Sequence, residues 1–256
     1  MKQFLFTLTI LIGAIVLLPL TGFKHIGAAK PDYKISTDTG FVVMEFFTSQ
    51  GCSSCPKAEE LLGSYVEKND SRIIPIAFHV DYWNPLGWRD SFSTYQYSAR
   101  QEKYNRDYLH SKSIYTPQLI INGQKEFVGS NAEAIKKSVD ETLNQIPSVN
   151  IHLQNATVTN GKLTVRYTMD GNFANSSINF VLIQHKTTTD VKAGENRGRT
   201  LINYNVARHL LSTTAKDSGI CVLQLPLGIA ASDLSLVLFT QNKTSGRITG
   251  AIKKEL

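Results

Sequence analysis

The sequence predicts an α/β domain built on a mixed four-stranded sheet with flanking helices, residues 40–147, followed by an all-β, sandwich-like domain, residues 148–256. Two observations carry most of this. Apolar runs of strand length alternate with helix-period segments as far as about residue 146, the order of an α/β unit. At Ile146-Pro147-Ser148 the texture changes to short alternating strands divided by turn signals, the pattern of a sandwich. The Asn-Gly pairs at 122–123 and 160–161 sit between apolar runs, where tight hairpins need positive φ.

The chain of 256 residues opens with Lys2, an apolar run from Phe4 to Leu20, and small residues at Gly27, Ala28 and Ala29. Residues 1–29 read as a secretory signal peptide, with a retained membrane anchor as the alternative. A polar linker, residues 30–39, follows. The formal charge of +6 falls to +4 without Lys2 and Lys24, too small an excess to point to nucleic acid. Export to the bacterial periplasm or the exterior would allow disulfides, yet there are only three cysteines: Cys52, Cys55 and Cys221. The first two form a pair, and Cys221, in an apolar strand pattern, reads as a buried inert thiol.

Within the first domain "FVVMEFF", 41–47, has the apolar and β-branched character of a buried parallel strand. In the helix that follows, to Lys68, Ala58, Leu61, Leu62, Tyr65 and Val66 share one face, and Gly63 weakens its middle. "RIIPIAFHV", 72–80, is a second strand, with Pro75 suggesting a position near an edge. A helix over Ser93–Leu109 carries Tyr97, Tyr104 and Tyr108 on one side. "YTPQLIING" opens a hairpin, and Ser130 is the expected cap of a last helix with Ile135, Val139 and Leu143 on its apolar side. In the second domain "SINFVLIQHKTTTD", "GICVLQLPL" and "LSLVLFTQN" are strand candidates. The polar stretch 193–208, with Glu195, Arg197, Arg199 and Arg208, suits docking onto the first domain or holding an anion.

Chemistry concentrates in "CSSC", 52–55, between a strand and a helix. A thiol attacks a disulfide as thiolate, and a helix N-terminus lowers its pKa. Cys52 is therefore the candidate nucleophile and Cys55, one turn deeper, the resolving thiol. The competing use is half of a copper or zinc site, with His79 at the end of its strand as third ligand. A structural disulfide in a protein-interaction domain is the remaining alternative.

The order of strand, Cys52-Ser53-Ser54-Cys55, helix, strand, helix, Thr116-Pro117, hairpin and helix resembles the thioredoxin superfamily over about residues 40–146. More closely, "FTSQGCSSCPKAE", "FHVDYWNPLGWRD", "YTPQLIING" and "GENRGRTLINYNVAR" are similar to the secreted thioredoxin-like family catalogued as domain of unknown function 1223. The resemblance implies a cis-proline at Pro117 that, with Thr116, turns backbone toward a substrate chain. It also implies a proton-accepting role for Glu45, although Glu45 stands one residue further from the first cysteine than the acid of typical thioredoxins. His79, Asp81 and Trp83 leave a strand at the expected rim of the site, and Gln118 follows Pro117; these four are candidate substrate contacts. The expected activity is thiol–disulfide exchange with a protein client, without a cofactor beyond the Cys52–Cys55 disulfide, and with a redox partner protein supplying electrons. Contact with a membrane is expected only through residues 1–29, if they are retained.

Overall fold

Strands β1 (Val42–Thr48) and β2 (Ile73–His79) lie parallel at the heart of a mixed sheet, in register from Val42 opposite Ile73 to Thr48 opposite His79. The computed structural model describes residues 40–111 and 113–256. The expected signal segment, 1–29, and linker, 30–39, lie outside those residues. Every residue of β1 is buried, as its uninterrupted apolar run requires of a strand covered on both faces. Helix α1 (Cys55–Lys68) leads from β1 to β2. Helix α2 (Tyr95–Lys103), capped by the Thr94 side chain, runs on as a π-helical turn over Tyr104–Leu109. The single helix expected over Ser93–Leu109 is thus two segments of different pitch.

The hairpin β3 (Gln118–Ile121) and β4 (Lys125–Val128) adds to β1 antiparallel. Its turn is set by Asn122 at φ +44° and Gly123 at φ +68°. Asn122 also ties the turn to β1, accepting from Val43 N at 2.7 Å and donating to Phe41 O at 3.0 Å. Helix α3 (Ala132–Thr142) follows, and its cap is Asn131, which accepts from Ala134 N, rather than the expected Ser130.

The rest of the chain is β5 (Val149–Thr159), β6 (Lys162–Gly171), β7 (Ser176–Asp190), β8 (Thr200–Thr214), β9 (Ser218–Gln224), β10 (Leu234–Asn242) and β11 (Ile248–Glu255). Here the expected fold class is corrected. The α/β region does not close as a four-stranded sheet with flanking helices of its own. Its strands belong to an eight-stranded mixed sheet in the order β11-β10-β7-β8-β2-β1-β3-β4, and β5-β6-β9 form a separate three-stranded sheet.

The physical reason lies at β2. Proline at 75 has no N–H to give a neighbouring strand, which made this side read as an edge. β8 nevertheless joins it in parallel, through the pair Ala77 and Val206. Asn205, at φ +46°, turns its side-chain amide onto Pro75 O at 2.9 Å, so a side chain takes over a bond that regular pairing would make. Residues 200–208, the second part of the polar stretch 193–208, are the first half of the long strand β8.

Three apolar layers hold these sheets. One face of the large sheet packs Val43, Phe47, Phe78, Val181, Val237 and Phe239 with Tyr97 and Tyr104, so the core runs unbroken from the first half of the chain into the second. On the opposite face α1 and α3 cover Met44, Phe46 and Leu119. Beside them Phe180, Leu182, Leu236 and Leu238 meet Leu163, Val165 and Leu223 of the small sheet. Among the described residues no helix is long and apolar enough to cross a membrane.

Candidate functional site

β1 ends at Thr48, and the chain turns before α1 begins. Cys52 N donates to Ser49 O at 3.2 Å and Cys55 N to Cys52 O at 3.3 Å, two stacked turns that leave Cys52 just ahead of the helix and make Cys55 its first residue. Pro56 follows in the first turn, where a missing N–H costs nothing. Both cysteines are free thiols and both are buried.

The two sulfurs are in different electrostatic situations. The Cys55 thiol hydrogen-bonded to the Cys52 sulfur is the largest influence on Cys52, and it lowers that pKa to about 6. Burial opposes the shift, while the Ser54 hydroxyl, 3.3 Å away, and Thr116 add to it. Burial pushes the Cys55 thiol well above its usual range, and an ionised Cys52 beside it pushes further the same way. One member of the pair therefore ionises readily and the other keeps its proton.

Thr116 stands against Cys52, and the cis bond that the resemblance implied is present. The Thr116-Pro117 bond is cis, and Cys52 Sγ lies 3.8 Å from Thr116 O. Gly129 N donates to Pro117 O at 2.9 Å, fixing the segment to the far end of the hairpin.

Glu45 lies elsewhere. It is fully buried on the face of β1 that meets α2, where Arg100 Nε donates to it at 2.5 Å and Tyr104 OH donates as well. Its carboxylate is committed to this ion pair and is not directed to Cys55. Gln118 is also removed from the pocket rim. It is fully buried, accepts from Gln101 Nε2 at 2.8 Å, and donates to Asn105 Oδ1 at 3.0 Å and to Glu126.

His79, Asp81 and Trp83 leave β2 as expected but have structural partners. His79 is fully buried, with Nδ1 at 2.6 Å from Asp90 Oδ2 and its ring edge-on to Phe92. Burial works against charge on the ring, and the Asp90 carboxylate more than offsets it, so the pKa is raised. Asp81 accepts from Ser98 Oγ at 2.5 Å. Trp83 packs on the aromatic core and approaches Gly51 beside the cysteines. Among the described residues no three His, Cys, Asp or Glu converge as a set that could hold a metal.

The second half of the chain completes the site. The β7–β8 connection, residues 191–199, clasps the cysteine turn. Asn196 Nδ2 donates to Gln50 O and to Cys52 O at 2.9 Å each, and Glu195 Oε2 accepts from Ser53 N at 2.9 Å. Gln50 is the junction behind it. Its amide donates to Thr189 Oγ1 and Asn203 Oδ1, its carbonyl oxygen accepts from Trp88 Nε1, and its backbone N–H donates to Asp90. A side chain at Gly194 would meet Trp88 Cβ at 3.0 Å, so glycine there lets the loops interlock.

Sequence reasoning missed Tyr82, whose hydroxyl donates to Gln101 Oε1 at 3.2 Å and whose pKa burial raises first and the two thiols raise further. It also missed Glu59, one helical turn beyond Cys55. That residue is buried, and its Oε1 accepts from Tyr204 N at 2.9 Å. An acid four residues after a cysteine on a helix was the available signal. Cys221 is buried on β9, with its pKa pushed up to about 11 by burial alone.

The family model described as "Protein of unknown function (DUF1223)" matches residues 43–241, and the chain belongs to that family. A crystal structure of a protein from Agrobacterium tumefaciens is similar at 26% identity and a TM-score of 0.62, over 83% of this chain and 93% of that one. HBP35 of Porphyromonas gingivalis is similar in fold at 15% identity and a TM-score of 0.65, over 85% of this chain and 76% of its own. No curated protein matches.

Proposed function

We propose that this DUF1223 family member is an exported thiol–disulfide oxidoreductase, with Cys52 as the attacking thiolate and Cys55 as the resolving thiol. The observation that carries the reading is the divided pair: adjacent free thiols, one held near a pKa of 6 by its neighbours and the other kept protonated by burial. An attacking thiol works best with a pKa near the ambient pH, and a resolving thiol must wait until the mixed disulfide has formed. The cysteine pair itself carries the two electrons, so no bound cofactor is required. The client is a protein disulfide or thiol, and a redox partner protein resets the pair. Export rests on the apolar run Phe4–Leu20 followed by Gly27-Ala28-Ala29.

The test is alkylation of reduced protein across pH, together with trapping. Cys52 should react with a midpoint near pH 6, and a Cys55→Ser variant should hold glutathione or a client as a stable mixed disulfide on Cys52. A Cys52 that titrates like a free thiol, at about 8.5, and exchanges with neither would overturn the reading.

A further inference from the structure

Between α1 and β8 lies a cavity of ≈ 160 Å³ whose lining includes both Cys55 and Glu59. The two residues are one helical turn apart on α1, so their side chains lie on the same face. Both are buried, 2% and 4% exposed. Glu59 Oε1 is fixed by Tyr204 N, but Oε2 is buried with no hydrogen-bond partner among the described residues. A carboxylate oxygen left bare in a buried place is costly unless something there uses it. At the outer rim Glu60, Arg199, Thr200 and Ile202 are exposed, so the cavity has a way out to water.

We propose that Glu59 is the proton acceptor and donor for Cys55, working through this cavity. The inference rests on the thiol-exchange reading and adds to it the group that releases the second thiol. In the mixed disulfide a client sulfur is bonded to Cys52 and Cys55 still carries its proton. Glu59 carboxylate takes that proton, and the Cys55 thiolate attacks Cys52 Sγ. The Cys52–Cys55 bond forms as the bond from Cys52 to the client breaks, and the client leaves as a thiolate. The client disulfide gains two electrons and the cysteine pair loses two. The proton on Glu59 passes through the cavity to water or to the departing thiolate, and in the reverse direction Glu59 returns it to Cys55.

The surroundings suit a group that must both take and give a proton near neutrality. Burial raises the Glu59 carboxyl to about 7. His79 on β2, the N–H of Tyr204 and the amide of Asn203 on β8 hold it from rising further, and Asp90, behind His79, adds to the rise. Burial works against charge on His79, Asp90 raises its pKa, and Arg208 acts in the opposite sense to Asp90. His79 Nε2 is itself buried with no hydrogen-bond partner among the described residues. Cys55 from the same helix and Tyr204 from β8, with Glu60 and Arg199 at the rim, complete the titratable and charged lining.

The decisive variant is Glu59→Gln, which retains an acceptor for Tyr204 N. Reduced protein is mixed with oxidised glutathione, and quenched samples follow first the mixed disulfide on Cys52 and then its resolution by Cys55, from pH 5 to 9. Formation should be unchanged, while resolution slows about 100-fold and loses its inflection near pH 7. Resolution with unaltered rate and inflection overturns the proposal and leaves the thiol-exchange reading standing; no mixed disulfide in Cys55→Ser and no Cys52–Cys55 disulfide in the native protein remove both. Should the variant not fold, carbon-13 NMR of the native protein decides. A Glu59 carboxyl titrating near 7 whose midpoint moves in Cys55→Ala supports the assignment, and one titrating at the ordinary value of about 4.3, indifferent to Cys55, overturns it.

Discussion

Asn196 holds Cys52 by its backbone: one side-chain amide nitrogen donates to Cys52 O and to Gln50 O, 2.9 Å from each. Asn196 is itself 1% exposed, so no water replaces the bonds if the amide is lost. Asn196→Ala should destabilise the protein by about 1–3 kcal/mol, the cost of leaving buried carbonyls unpaired. It should also speed alkylation of Cys52, because the turn loses its clasp. Asn196→Asp keeps the size but cannot donate and should do the same. Urea unfolding and iodoacetamide labelling measure the two effects; unchanged labelling in both variants would show that the loop does not limit access.

Gly63 sits in the middle of α1 because a Cβ there would meet the Tyr204 ring at 2.5 Å. Helix propensity alone favours alanine by about 1 kcal/mol, but overpacking costs about 1–3 kcal/mol, so Gly63→Ala should lower stability. In a Tyr204→Leu background the ring is gone, and the same change should become neutral or favourable. Thermal unfolding of the four proteins closes the cycle. Equal loss in both backgrounds would mean that Tyr204 is not the obstacle.

The start of a helix at the cysteine pair and the Asn122-Gly123 turn were legible because spacing and positive φ are written in adjacent residues, whereas the cis bond at Pro117 was expected only from the family resemblance. The eight-stranded sheet was not legible, because β8 joins β2 through one backbone pair and an Asn side chain, neither of which leaves a periodic trace. Glu45 was misplaced for a similar reason. Its alternation along β1 is clear, but which face meets α1 depends on α2 claiming the other with Arg100. Asn196 and Glu195 stood out as a dense polar stretch, yet their partners lie more than 140 residues away.

The Glu45–Arg100 pair allows the misplaced role to be tested directly. Arg100 is almost enclosed, stacking its guanidinium over Phe78, Tyr104 and Phe239 while bonding Glu45. Arg100→Met strands a fully buried carboxylate and should cost about 3–5 kcal/mol, and the double variant Glu45→Met, Arg100→Met should recover most of it. In that double variant the pH profile of Cys52 alkylation should match the native one. A shifted midpoint would mean that Glu45 acts on the thiols after all.

The divided cysteine pair makes the stability of the reduced protein depend on pH in two opposed ways. The folded Cys52 has a pKa near 6 against about 8.5 for a free thiol, so between these values the unfolded chain binds the extra proton. Stability from Cys52 is therefore complete above about 8.5 and is lost as pH falls through 6. Cys55 has the opposite sign. Its raised pKa keeps the proton on in the folded state, so its contribution is complete below the unfolded value and disappears as pH climbs past about 8.5. Measured against a Cys52→Ser, Cys55→Ser protein, in which titrating groups that the thiols do not perturb cancel, the reduced native chain should gain stability from pH 6 to about 8.5 and lose it again above. A difference flat with pH in equilibrium urea unfolding would show that the two thiols are electrostatically alike, and the assignment of one as attacker and the other as resolver would lose its basis.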